Sequence, residues 1–170
     1  MDPFETLGIA PNFDVDLEVL ERIHRRLSKA VHPDRHIHTG TSERREALAR
    51  AMSVNEAWRI VRDPVRRAEA LLSLSGYALV ESSGPKLGPE FLMEMLELRE
   101  ALADAGRAHD VAAVRALGRS IRARAAEAEE DLAVGFARGP SEATVSKLGE
   151  LRFYRRFLDE VSSLEDEMAA

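Results

Sequence analysis

Hydrophobic residues recur at helical spacing along most of the chain, and this pattern predicts an all-α fold. Four helices are predicted in the first half, over residues 3–8, 16–31, 42–62 and 65–76. Three longer helices are predicted in the second half, over residues 89–105, 108–135 and 141–168. Between the two groups, the stretch "ESSGPKLGPE" has two Gly, two Pro and two Ser and no periodicity. Such a stretch is typical of a linker, so we expect two separate units.

The bounds of these units follow from the position of the linker. We expect a first unit over residues 1–79, a linker over 80–89 and a second unit over 90–170. Three antiparallel helices with short connections bury their apolar faces against one another. The second unit should therefore be a three-helix bundle.

Apolar stripes on two helices of the first unit identify candidate core residues. On the helix predicted over 16–31, the stripe comprises Val19, Leu20, Ile23, Leu27 and Ala30. On the helix predicted over 42–62, it comprises Leu48, Ala51, Met52, Asn55, Trp58 and Val61. We expect both stripes to face the core of the unit.

Composition and charge exclude several classes of function. The chain has no Cys, which excludes disulfides, thiolate catalysis and cysteine-ligated zinc or iron–sulfur clusters. Residues 80–170 carry 12 basic and 18 acidic side chains, a balance that argues against nucleic acid as a partner. No run approaches the apolar length of a membrane span, and the start "MDPFETLG" lacks the order of a secretory signal. We expect a soluble, intracellular protein.

The run "AVHPDRHIH" ends the second predicted helix and carries the first candidate chemistry. His32 could act as a general base oriented by Asp34, but the sequence supplies no matching nucleophile or oxyanion site. His32, His36 and His38 could bind a metal, but Pro33 precludes a regular helix and few further ligands are nearby. The run could also be an ordinary solvated turn. The tripeptide alone does not decide among these interpretations.

Four basic residues on the helix before this run favour a binding role. Arg22, Arg25, Arg26 and Lys29 follow the spacing i, i+3, i+4 and i+7, so they share one helix face, largely opposite the apolar stripe. Like charges on one face repel, whereas a face that is only solvated normally mixes signs. This arrangement indicates electrostatic docking onto an acidic surface.

Residues 1–75 resemble a J domain, because a basic helix, the HPD tripeptide and "VNEAWRIVRDPVRRAEAL" occur in that order. The resemblance implies a co-chaperone that stimulates ATP hydrolysis by a DnaK-class chaperone. The ATP site would be on the partner, so the chain itself would not be an enzyme. The residues that would contact the chaperone are His32, Pro33, Asp34, Arg22, Arg25, Arg26 and Lys29.

The segment "PEFLMEMLELREAL" carries more apolar residues than one helix face needs. Its core stripe comprises Phe91, Met95, Leu98 and Leu102. At about 100° per residue, Leu92 and Leu96 lie roughly 100–140° from that stripe, and Met93 lies nearly opposite it. Packing against the first unit could bury them. Alternatively, they form an exposed binding patch rimmed by Glu97 and Glu100.

The last predicted helix repeats this feature in "LRFYRRFLDEV". Its inner stripe is predicted to comprise Leu151, Tyr154 and Leu158. Phe153 points well away from the stripe, and it could complete the patch of the earlier helix.

Over essentially its whole length the chain resembles the HscB family, the J-type co-chaperones of iron–sulfur cluster biogenesis. The resemblance rests on "FETLGIAPNFDVD", HPD, "FLMEMLELREAL" and "LRFYRRFLDEV". It implies an L-shaped molecule whose bundle binds an IscU-type scaffold and delivers it to an HscA-type chaperone. The implied scaffold-binding residues are Leu92, Met93, Leu96 and Phe153, within the rim of Glu97 and Glu100.

Two departures from the family pattern refine this expectation. His36 stands where an aromatic residue is common after "HPDR", for which we expect a local packing change. The cysteines of an N-terminal zinc site, present in some eukaryotic members, are missing, which fits a bacterial-type cytoplasmic member. We expect no metal, cofactor or cluster on this chain. A J-domain co-chaperone with a different protein client remains the alternative.

Overall fold

The computed structural model describes residues 2–31, 41–77 and 87–169. These ranges contain helices and no strand, so the all-α prediction is confirmed. The helices are α1 Pro3–Leu7, α2 Leu17–Ala30, α3 Thr41–Arg62, α4 Pro64–Leu74, α5 Pro89–Arg107, α6 Val111–Arg138 and α7 Glu142–Ala169. None of these described helices combines the length and apolar character needed to cross a membrane.

Aspartate caps explain where three helices of the first half begin. Asp2, Asp16 and Asp63 each precede a helix, and their side chains accept hydrogen bonds from backbone N–H groups of the first turn. The distances are 2.8 Å at Asp2, 2.9 Å at Asp16 and 3.0 Å at Asp63. Such caps satisfy N–H groups that have no partner within the helix.

The chain divides into two compact units, residues 1–79 and 80–170. In the first unit, α1, α2 and α4 all pack against α3. The largest buried side chains there include Phe4, Leu7, Phe13, Leu20, Val61, Leu71 and Leu72.

A buried arginine ties three segments of the first unit together. Arg67 of α4 donates a hydrogen bond from Nη1 to the carbonyl of Val61 at 2.7 Å. Its guanidinium also lies 4.7 Å from the ring centroid of Phe13, in the connection between α1 and α2. A charged group is tolerated in a core only when such partners replace its hydration.

The structure corrects the predicted core face of α3. Of the predicted stripe, Val61 is buried and Ala51 and Trp58 are half-buried, whereas Leu48, Met52 and Asn55 are exposed. The other buried residues of α3 are Ala47, Val54 and Ala57. The other helices of this unit contact α3 along a stripe that contains small residues. This stripe lies one residue, or about 100°, around α3 from the predicted stripe with the larger side chains. Val19 and Ala30 of α2 are exposed as well, while Leu20 is buried.

The second unit contains α5, α6 and α7. The long helices α6 and α7 run antiparallel, and two glycines of α6 leave room for side chains of α7. A Cβ at Gly118 would lie 3.0 Å from Val161, and one at Gly135 would lie 2.9 Å from Thr144. Helix α5 packs against both, with Met95 and Leu102 buried. The core also includes Val114, Ile121, Leu132, Leu148, Leu151, Tyr154 and Phe157.

Candidate partner-binding surfaces

The four basic residues of α2 form one exposed surface, which we call the basic face. Arg22, Arg25, Arg26 and Lys29 are all exposed, and together with Ala30 they line a shallow depression. Arg25 also pairs with Glu21, one turn earlier, at 3.5 Å. That pair is exposed, and such pairs are typically worth less than about 1 kcal/mol. The basic face therefore keeps a net positive charge.

The tripeptide His32-Pro33-Asp34 lies outside the described residues, as do His36 and His38. The described chain leads directly to it, because α2 ends at Ala30 and the N–H of Val31 donates to the carbonyl of Leu27 at 3.0 Å. Within the described ranges, no group of three His, Cys, Asp or Glu side chains could hold a metal ion.

A stacked cluster sets the rotation of α2 on α3, and sequence reasoning missed it. The ring of His24 stacks on Trp58 with centroids 4.5 Å apart, and its Nε2 hydrogen-bonds Asn55 Oδ1 at 2.9 Å. Ser28 Oγ lies 3.2 Å from the same nitrogen, and the Arg62 guanidinium lies 4.7 Å from the Trp58 ring centroid. The position of His24, four residues after the buried Leu20, was the available signal.

The second surface is an apolar patch on α5, formed by Leu92, Met93 and Leu96. These side chains are 44%, 58% and 52% exposed. Glu97 and Glu100 are exposed beside them. Three large apolar side chains in adjacent exposed positions mark an interaction surface more often than an isolated one does.

Phe153 of α7 lies against the start of α5. It is half-buried, and its ring meets Phe91 edge-on, with centroids 5.8 Å apart and planes at 89°. Phe91 also meets Tyr154 at 5.7 Å. The structure thus brings Phe153 to the helix that carries the apolar patch. Phe153 is only half-buried, whereas the neighbouring Tyr154 is buried.

Ion pairs hold α5 on its neighbours without covering the apolar patch. Glu94 binds Arg124 of α6 at 2.7 Å, and Arg99 binds Glu160 of α7 at 2.8 Å. The hydrogen bond from Arg124 lowers the pKa of Glu94, and the same bond raises the pKa of Arg124. Both α5 residues lie between the buried and exposed sides of that helix, so they fix which side chains face solvent.

Comparisons with known proteins match both units. A family model of the DnaJ domain matches residues 2–70, and one described as the HSCB C-terminal oligomerisation domain matches residues 87–162. The co-chaperone protein HscB homolog of Shewanella oneidensis is 32% identical over an alignment of 172 residues, covering 99% of each chain. The homolog of Ralstonia nicotianae is 40% identical over 111 residues, which cover 65% of this chain and 63% of that protein. Chaperone HscB from Vibrio cholerae is 31% identical, with a TM-score of 0.88 and 99% of each chain covered.

Proposed function

The chain belongs to the HscB family of co-chaperones, and on that premise we propose that it acts in iron–sulfur cluster biogenesis. It stimulates ATP hydrolysis by an HscA-type chaperone of the DnaK class and delivers an IscU-type scaffold to it. It works in the bacterial cytoplasm. Residues 1–79 serve as the J domain, residues 80–89 as the linker and residues 90–170 as the scaffold-binding bundle.

The J domain engages the chaperone through charge first. The exposed basic face attracts an acidic surface of the chaperone, and this attraction weakens as salt rises. The stack of His24 on Trp58 fixes α2 so that the basic face points to solvent. Docking there presents His32, Pro33 and Asp34, directly after the end of α2, to the ATP-bound partner. The partner is then biased toward its closed, client-holding state.

The bundle engages the scaffold through the apolar patch. Burial of Leu92, Met93 and Leu96 supplies affinity, while Glu97 and Glu100 at the rim favour a scaffold surface that carries basic side chains. Phe153 adds an aromatic anchor at the start of α5, where it contacts Phe91. Holding client and J domain on one chain raises their effective concentration at the chaperone.

One observation carries this proposal: two exposed surfaces of opposite chemistry occur on two units of one chain, and each unit matches its own family model. A protein that bound only the chaperone would gain nothing from the apolar patch. A protein that bound only a client would gain nothing from the basic face.

Two variants test this division of labour. We expect His32→Gln to abolish stimulation of the chaperone's ATPase with little effect on scaffold binding. We expect the triple variant Leu92→Ala/Leu96→Ala/Phe153→Ala to lose scaffold binding and to keep the weaker stimulation that the J domain gives without scaffold. Circular dichroism establishes that both are folded. If each folded variant lost both activities, the proposed division would be wrong.

A further inference from the structure

The methionines within the described ranges differ sharply in exposure. Met93 of the apolar patch is 58% exposed and Met52 of α3 is 65% exposed, whereas Met95 is 3% exposed. Met168, near the end of α7, is half-buried. Among these described methionines, Met93 is therefore the one that is open to solvent on a surface with a proposed partner.

Met93 gives the apolar patch a chemistry that its two leucines do not have. It is the most exposed of the three patch residues and lies nearly opposite the core stripe of α5. A thioether packs as an apolar group, but its sulfur keeps a lone pair that oxidants attack. The product is a sulfoxide, which is polar. Oxidation of this one side chain therefore places a polar group in the middle of an apolar surface.

Exposed carboxylates lie beside Met93 on the same helix. Glu90, Glu97 and Glu100 stand at i−3, i+4 and i+7 from Met93, so they share its side of α5, and all three are exposed. Their negative charge repels an anionic oxidant, whereas a neutral oxidant is not repelled. The surroundings of Met93 therefore favour neutral hydrogen peroxide as the oxidant.

From this exposure, position and charge we propose that Met93 is an oxidation site through which hydrogen peroxide weakens scaffold binding. The inference rests on the proposed function and adds a form of regulation to it. In the reaction the sulfur lone pair attacks one peroxide oxygen, and the S–O bond forms as the O–O bond breaks. The proton of the transferred oxygen moves through solvent to the leaving hydroxide, which departs as water. The sulfur is oxidised and the peroxide is reduced, and a methionine sulfoxide reductase reverses the change with electrons from a dithiol.

The effect on binding follows from burial of the sulfoxide. When scaffold covers the patch, the sulfoxide oxygen of Met93 loses its hydrogen bonds to water, and an apolar interface does not replace them. We expect the Kd for scaffold to rise about tenfold on oxidation. Coupling between two events is reciprocal, so bound scaffold should also protect Met93 from peroxide.

The first test measures this protection by peptide mass spectrometry after a pulse of hydrogen peroxide, with and without saturating IscU-type scaffold. Met52 lies in the other unit of the same molecule, so its oxidation reports the peroxide that each sample received. We expect scaffold to lower the ratio of Met93 oxidation to Met52 oxidation severalfold. Met95 should react slowly in both samples because it is buried.

The second test is a calorimetric titration with scaffold before and after peroxide treatment, with each protein compared with itself. Peroxide is removed with catalase before scaffold is added, and circular dichroism establishes that the treated proteins are folded. The wild type should lose about tenfold in affinity and regain it after treatment with methionine sulfoxide reductase. Met93→Leu cannot form the sulfoxide, so its Kd should be the same before and after peroxide. Met52→Leu, the matched control, should respond to peroxide as the wild type does.

The outcomes separate this inference from the function on which it rests. If wild-type protein with fully oxidised Met93 bound scaffold as tightly as the reduced protein, the oxidation site would be wrong and the scaffold-binding function would stand. If Met93→Leu lost as much affinity after peroxide as the wild type, another residue would be responsible and the proposal would again be wrong. If reduced wild-type protein bound no scaffold, the proposed function would be wrong as well.

Discussion

Truncation of the apolar patch on α5 should separate scaffold binding from stability. Full burial of a Leu or Met side chain is worth about 1.5–3 kcal/mol, and roughly half of each side chain in Leu92, Met93 and Leu96 is exposed. Covering each exposed half should therefore contribute about 1 kcal/mol. The triple alanine variant of this patch, Leu92→Ala/Met93→Ala/Leu96→Ala, should lose about 3 kcal/mol of binding free energy, or roughly a hundredfold in Kd.

The matched control is a buried methionine on the same helix. Met95→Ala removes a core side chain, for which we expect a loss of about 2–5 kcal/mol in the free energy of unfolding. The assays are calorimetric titration with an IscU-type scaffold and urea unfolding of both variants. The triple variant should unfold at nearly the wild-type urea concentration, because its three substitutions are on the surface.

The opposite pattern would contradict a binding role for the apolar patch. A triple variant that bound scaffold with wild-type affinity would remove the patch from the interface. A triple variant as destabilised as Met95→Ala would mean that these side chains support the fold in solution.

Three further predictions concern charge, backbone conformation and pH. Arg22→Glu/Arg26→Glu should strongly weaken ATPase stimulation and reduce its salt dependence, measured at two ionic strengths. Stimulation with unchanged salt dependence would contradict docking through α2. His109 has a φ of 51° after the end of α5, where glycine is preferred, so His109→Gly should stabilise the bundle by up to about 1 kcal/mol in urea unfolding. A lower urea midpoint for His109→Gly than for the wild type would contradict this prediction of stabilisation. Because Arg124 lowers the pKa of Glu94 below its ordinary 4.5, the pair stabilises the fold above that pH and loses its effect as pH falls. The stability difference between wild type and Glu94→Gln should therefore shrink below pH 4.5, and a constant difference would contradict the assignment.

Helix positions and the exposed apolar residues of α5 could be predicted from sequence, for physical reasons. Aspartate caps at positions 2, 16 and 63 and the Pro residues that follow two of them mark helix starts within one residue. The angular separation of Leu92, Met93 and Leu96 from the core stripe of α5 needs only the helical period. The helix starts and the exposed positions of α5 both follow from geometry within one helix, which the spacing of residues in the sequence determines.

Contacts between helices could not be predicted in the same way. Size suggested that Leu48 and Met52 are core residues of α3, but the helices meet at Ala47 and Ala57, where small side chains are buried. Phe157 is almost fully buried on α7 although the predicted stripe did not include it. Which of two adjacent stripes is covered depends on the neighbouring helices, and periodicity within one helix carries no information about them.

The central claim is that one chain couples a scaffold client to a chaperone's ATPase. The most direct measurement is steady-state ATP turnover by the HscA-type chaperone with this protein, in the presence and absence of IscU-type scaffold. The account predicts strong stimulation only when protein and scaffold are both present. Stimulation that is indifferent to the scaffold would contradict the delivery role and indicate a different client. No stimulation of an active chaperone by folded protein would contradict the co-chaperone function itself.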